Sequence, residues 1–225
     1  IPITLIINIL SMVLIFIISL YFGIKSALNK NSFFDRFTGQ LSLLSFSMPS
    51  FYLALLLVLV FSINFEILPI AGLHSVPDDG SFAYYLDYAW HLVLPIFIIV
   101  FGGIGSLILY IRSLTIEILK SDYIFFAQAR GLSQKQILRY YILPNLYPPV
   151  ITLLGLSLPG IIGGSVILET IFSIDGMGLL FYQSALAHDY PVIMGILIIG
   201  AFLTLIGNMI ADLVLLKLNP NYEEK

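Results

Sequence analysis

The sequence predicts an all-α polytopic membrane protein, and three observations predict it. Of 225 residues, 59% are hydrophobic and only 10% are charged, with a mean hydropathy of +1.02. A soluble domain carries roughly 25% charged residues, so this chain has too little polar surface to cover a globule in water. Second, five runs free of Asp, Glu, Lys and Arg are long enough to span a bilayer: 1–24, 37–65, 88–111, 140–168 and 190–211. Third, the cations are segregated between those runs.

Each span follows from the length rule. About 20 apolar residues in a helix cross the hydrocarbon core, and lipid requires each backbone group to be bonded within the segment. The spans are therefore expected at about 3–24, 41–63, 91–111, 146–168 and 192–216, within a single domain covering 1–225. Lys25, Lys30 and Arg36 separate spans one and two. Arg112, Lys120, Arg130, Lys135 and Arg139 separate spans three and four, and Lys217 and Lys225 follow span five. The outer loops, 64–90 and 169–191, contain no Lys or Arg, only carboxylates such as Glu66, Asp78, Asp79, Asp87, Glu169, Asp175 and Asp189. The positive-inside rule then makes all ten cations, and the C-terminus, cytoplasmic. The chain opens with Ile1 inside an apolar run, so an earlier span is expected before it.

The absence of cysteine excludes disulfides, thiolate metal sites and cysteine nucleophiles. His74, His91 and His188 form no i, i+4 ligand pair, so no metal site is expected. No G-x-x-x-x-G-K-[ST] occurs, and the cluster Gly160, Gly163, Gly164 lacks the lysine a phosphate cradle needs. The chain is therefore not expected to be an enzyme or to hold a cofactor. A secondary transporter would place ionisable groups in mid-membrane, or show inverted repeats, and neither is seen. An intramembrane hydrolase would need a base at the depth of a nucleophile such as Ser165, and no histidine falls in the interior of a span, His91 standing at the edge of one.

One polar stretch stands out: DYIFFAQARGLSQKQILRYYILP, residues 122–144, inside the cytoplasmic loop 117–145. Ser121 and Asp122 suit a helix start. Gly131 suits a left-handed residue just past a helix end. Ser133 to Gln136 has the form of a capping box opening a second helix. Ile137, Leu138, Tyr141 and Ile142 share a face of that helix, with Lys135 and Arg139 opposite. The residues fit either an interfacial helix on anionic headgroups or a docking site for a cytoplasmic partner. The small Ala127 and Ala129 and the sharp glycine corner favour docking, because lipid binding needs neither.

The pattern A-x-A-x-G at Ala127, Ala129 and Gly131, with Leu143 and Pro144 twelve and thirteen residues beyond the glycine, resembles the EAA loop of bacterial ABC importer permeases. The likeness extends over nearly the whole chain and is closest to the dipeptide, oligopeptide and nickel permease class. FGIKSAL at 22–28, SMPSFYLALLL at 47–57, ILPIAGL at 67–73, HLVLPIF at 91–97 and NMIADLVLLKLNPNYE at 208–223 carry it. So, above all, does GGSVILETIFSIDGMGLLFYQSALAHDYPVIMG at 163–195. The chain departs at Phe125-Phe126, where the general pattern opens with Glu-Ala, at Tyr141, often isoleucine there, and at Asn219.

The resemblance implies a type I importer permease fold in a bacterial plasma membrane, lacking its first span and the external segment that follows. It implies a coupling helix that docks on a cytoplasmic ATP-binding subunit, with Asp122, Ala127, Ala129, Gly131, Leu132, Leu143 and Pro144 as the docking residues. It further implies a second permease subunit, two ATP-binding subunits that use ATP and Mg, and an extracytoplasmic substrate-binding protein, but no nucleic acid. Oligopeptides or dipeptides are the expected cargo, with nickel or a metal chelate as the alternative.

Candidates elsewhere are Gly160 and Gly164, a small-x3-small face for intramembrane packing or for the second permease. Pro159 is expected to permit a kink in span four. Glu169, with Thr170, is placed at the outer mouth. Asn208 and Asp212, four apart on span five, are expected as a structural hydrogen-bond pair or a contact to the cytoplasmic loops rather than a substrate site. Residues 173–190 are expected as a turn and a short helix dipping into the outer interface.

Overall fold

A computed structural model describes residues 2–157, 160 and 164–218, which form helices joined by turns and loops, with no strand among them. Pro2–Leu28 (α1) and Val93–Leu119 (α5) pack along much of their length and form the centre of the bundle. Phe33–Ser47 (α2) lies on α5, where a Cβ at Gly105 would come 2.4 Å from the Ser42 carbonyl oxygen. That backbone approach is reinforced by Ser45, whose hydroxyl donates to the Phe101 carbonyl. Ser19 likewise donates to the Ile104 carbonyl at 3.4 Å, tying α1 to α5.

The second apolar run is not one straight helix. Met48 is extended, as a residue before proline prefers, and Pro49 starts Ser50–Leu57 (α3), which runs on as a π-helical segment through Asn64. The two halves meet at 99°. The outer loop after it contains Phe82–His91 (α4), which feeds through Leu92 into α5. The third apolar rod therefore runs from Phe82 to Leu119, longer than the expected 91–111.

Beyond α5 come Asp122–Ala129 (α6), Gln134–Ile137 (α7), a π-helical turn Leu138–Ile142, and Leu143–Ser157 (α8). The expected span 146–168 is interrupted: Gly164 and Ser165 are non-helical and Val166–Ile171 (α9) follows. The kink expected at Pro159 lies outside the described residues. Met177–Leu186 (α10) is the expected short outer helix, and Tyr190–Leu218 (α11) packs on α8 and α10. Among the described residues, three helical rods are long and apolar enough to cross a membrane, or four if the bent α2–α3 pair is one span.

Candidate functional site

The segment between α5 and α8 is built as two helices around one corner. Arg130 closes α6, and Gly131 follows at φ +77°, the left-handed region that glycine enters without a Cβ penalty. The Gly131 N–H donates to the Gln128 carbonyl at 2.9 Å and the Leu132 N–H to the Ala127 carbonyl at 3.2 Å. These two bonds make a Schellman motif, which satisfies carbonyls that α6 would otherwise leave open. Ser133 then caps α7 through a complete capping box: its N–H donates to Gln136 Oε1 at 2.8 Å, and its Oγ accepts from the Gln136 N–H. Ser121 departs from expectation. It occupies the cap position of α6, but its hydroxyl turns back to donate to the Ile118 carbonyl at 2.5 Å.

The pair has an inner and an outer side. Ile124, Ala127, Ile137, Ile142 and Leu146 are buried together, against Ile24 and Leu28 of α1 and Leu114, Ile118 and Leu119 of α5. Leu132 is half-buried on the same cluster, supplying the apolar contact that accompanies a Schellman corner. Asp122, Ala129, Gly131 and Pro144 are exposed, and Leu143 is half-buried at the start of α8. The seven sequence candidates thus divide: Ala127 and Leu132 seat the helices, whereas Asp122, Ala129, Gly131 and Pro144 face outward. The small size of Ala127 serves packing within the chain.

Sequence reasoning did not select the exposed aromatic rings of this segment. Phe125, Phe126 and Tyr140 are more than 60% exposed, and Phe125 and Phe126 contact each other edge to face. Phe125 and Phe126 stand where the family pattern has Glu-Ala, and that departure was the signal. Solvent exposure of such rings is unfavourable unless something apolar covers them.

The other candidates fall elsewhere. Gly164 lies at φ +61° outside any helix, so Gly160 and Gly164 do not share a helical face. Gly160 borders a groove lined by Asn8, Met12, Phe16 and Ser157. Glu169 is buried, not at an open mouth. Its Oε2 accepts from the Leu179 N–H at 2.7 Å, and Thr4 accepts from the Met177 N–H at 2.9 Å while donating to Glu169 Oε1 at 3.4 Å. Together they cap α10, whose own cap residue is Gly176 and has no side chain to do so. A Cβ at Gly164 or Gly176 would come within 2.6 Å of the Glu169 carboxyl. Burial pushes that carboxyl above its ordinary value of 4.5, opposed by the Leu179 and Gly178 N–H groups. Asn208 and Asp212 are both exposed on α11, and no hydrogen bond joins them, so the expected structural pair is not formed. In the first outer loop the Asp87 carboxylate accepts from Ser75 and Val76 N–H groups, and buried His91 meets Ser75 Oγ at 3.1 Å.

Comparison with known proteins agrees with this architecture. Residues 15–224 match the family described as "Binding-protein-dependent transport system inner membrane component". The oligopeptide transport system permease protein AppB of Bacillus subtilis is 36% identical over 222 residues, 99% of this chain and 69% of that protein. The oligopeptide permease OppB of Haemophilus influenzae is 35% identical and the dipeptide permease DppB of Lactococcus lactis subsp. cremoris 34%, each over 88% of this chain and 61% of the relative. The chain thus spans about three fifths of the length of several relatives it matches. A solved structure of the MetNI methionine ABC transporter, in inward-facing conformations, has the same fold at a TM-score of 0.72, 17% identity, and coverage of 96% of this chain and 93% of that one. With its apolar rods and a family match over nearly all its length, the chain belongs to the binding-protein-dependent transport system inner membrane components, a multi-pass family.

Proposed function

We propose that this chain is the membrane-spanning permease subunit of an ATP-driven importer of oligopeptides or dipeptides. It forms the translocation pathway with a second permease, and α6–α7 receives a cytoplasmic ATP-binding subunit. ATP and Mg are used by two such subunits, and an extracytoplasmic binding protein delivers the substrate to the cation-free outer side. The observation that carries this reading is the geometry of α6–α7. Its inner face is buried on the ends of α1 and α5, while Phe125, Phe126, Ala129 and Gly131 are left outward on a rigid, fully capped corner. A lever needs that combination: a stiff seat toward the bundle and an uncovered apolar face toward its driver. The names of the relatives favour peptide over nickel as cargo.

The test is to purify the tagged full-length protein from its native membrane and reconstitute it in vesicles. Co-purification of a chain with a nucleotide-binding P-loop and ATP-dependent uptake of labelled peptides are expected. A stable complex without any ATP-binding chain overturns the importer reading. ATP-dependent uptake of nickel with no peptide uptake overturns the substrate class alone.

A further inference from the structure

The carboxylate of Asp35, on α2, is the meeting point of three elements. Arg112 of α5 donates to it through Nε at 2.6 Å and Nη2 at 2.8 Å, a two-pronged arrangement that fixes direction as well as distance. Ser26 of α1 donates to Oδ1, and the Asn31 N–H in the α1–α2 turn donates to Oδ2 at 2.9 Å. The Asp35 side chain is only 6% exposed and that of Arg112 28%. Burying such a pair carries a desolvation cost that an apolar pair of similar volume would avoid, so its contribution is better sought in the geometry it imposes.

Its position gives that geometry a use. Ser26 lies between Ile24 and Leu28, and Arg112 two residues before Leu114; Ile24, Leu28 and Leu114 are among the residues on which α6–α7 sits. No residue of α2 belongs to that apolar seat. α2 is held to α5 at two places: the contact around Gly105 and Phe101, one turn apart, and the ion pair at Arg112, about 10 Å from Gly105 along α5 at 1.5 Å per residue. One attachment would let α2 pivot; two make it turn with α5.

We propose that Arg112 and Asp35 are positioning residues for transport, which force α2, and the bent α3 beyond it, to follow α5 when α6–α7 is displaced. The proposal rests on the importer reading. The test uses the reconstituted complex with Arg112→Lys, which keeps the charge but not the fork, and Asp35→Asn, which keeps the shape and one of the two acceptor oxygens but removes the charge. The measured quantity is ATP hydrolysed per peptide imported, alongside hydrogen exchange of α2 amides. Both variants should retain the ATP-binding chains yet raise that ratio roughly fivefold or more, with faster exchange in α2 but not in α5, as loss of about 1 kcal/mol of coupling implies. An unchanged ratio or unchanged α2 exchange in intact complexes overturns the proposal and leaves the importer reading standing. Loss of assembly in both variants also overturns it, by making the pair a folding requirement. Absence of ATP-binding chains from the wild-type complex overturns the importer reading itself.

Discussion

Replacing Gly131 separates the corner as a backbone feature from the corner as a docking surface. An alanine at φ +77° enters the left-handed region, at a cost of about 1–2 kcal/mol. Beyond its own chain neighbours, nothing among the described residues lies within 4 Å of the added Cβ, so strain is the main intramolecular effect. A chain of this size should lose about 2–4 °C of Tm per kcal/mol, placing Gly131→Ala roughly 2–8 °C below wild type. Asparagine tolerates the left-handed region better than alanine, yet its side chain projects further into the open space. Gly131→Asn should therefore recover much of the Tm while losing more of the bound ATP-binding subunit than Gly131→Ala does. Thermal unfolding in detergent, paired with quantitative co-purification, reads both effects. If the two variants fall together in Tm, the left-handed argument is wrong. If Gly131→Asn restores Tm and partner recovery alike, the corner is a turn and no docking surface.

The alanines offer a parallel contrast. Ala127→Leu forces extra volume into the cluster of Ile124, Ile137 and Ile142 and should cost about 1–3 kcal/mol, seen as a lower Tm. Ala129→Leu, on the exposed side, should change stability by about 0.5 kcal/mol or less while reducing recovery of the ATP-binding subunit. Glu169→Ala strips the Leu179 N–H of its acceptor and should destabilise by about 1–3 kcal/mol. Because the Glu169 carboxyl is raised above 4.5 by burial, the folded state binds more protons than the unfolded one in that window, so stability falls as pH rises through it. Glu169→Gln should flatten that slope in Tm measured against pH. Single Asn208→Ala and Asp212→Ala substitutions should leave Tm within the scatter of exposed positions.

The apolar rods and the polar loop were legible because lipid and backbone chemistry leave few choices. Charge-free length marks a span, and a glycine between two cappable segments marks a corner. Gly131, Ser133 and Gln136 behave as their spacing requires, since capping is local. What escaped depends on distant partners. The second span was expected as one rod over 41–63, and the bend at Pro49 escaped because it goes with how α3 packs on α5 and α9. Gly164 read as one end of a packing stripe because its spacing to Gly160 is helical, whereas the chain uses it to turn beside Glu169. The role of Glu169 as a cap for a helix that begins eight residues later could not be read from spacing. Arg112 counts in the sequence only as one of the cations between spans, and only folding brings Asp35, 77 positions away, into a fork with it.

The π-helical turn at Leu138–Ile142 has a consequence for how this segment can vary. Ile137, Ile142 and Leu146 are buried in one row, so the first step is five residues and the second four. In an unbroken α-helix the first step would have placed Tyr141 in that row. One additional residue rotates everything beyond it by about 100°. Like a gear with one tooth more than its neighbour, the turn sets the phase between α7 and α8. Substitutions of exposed residues there keep the gearing, but a single deletion would swing α8 away from its partners. Length, together with the buried Ile142, is what these five positions must preserve.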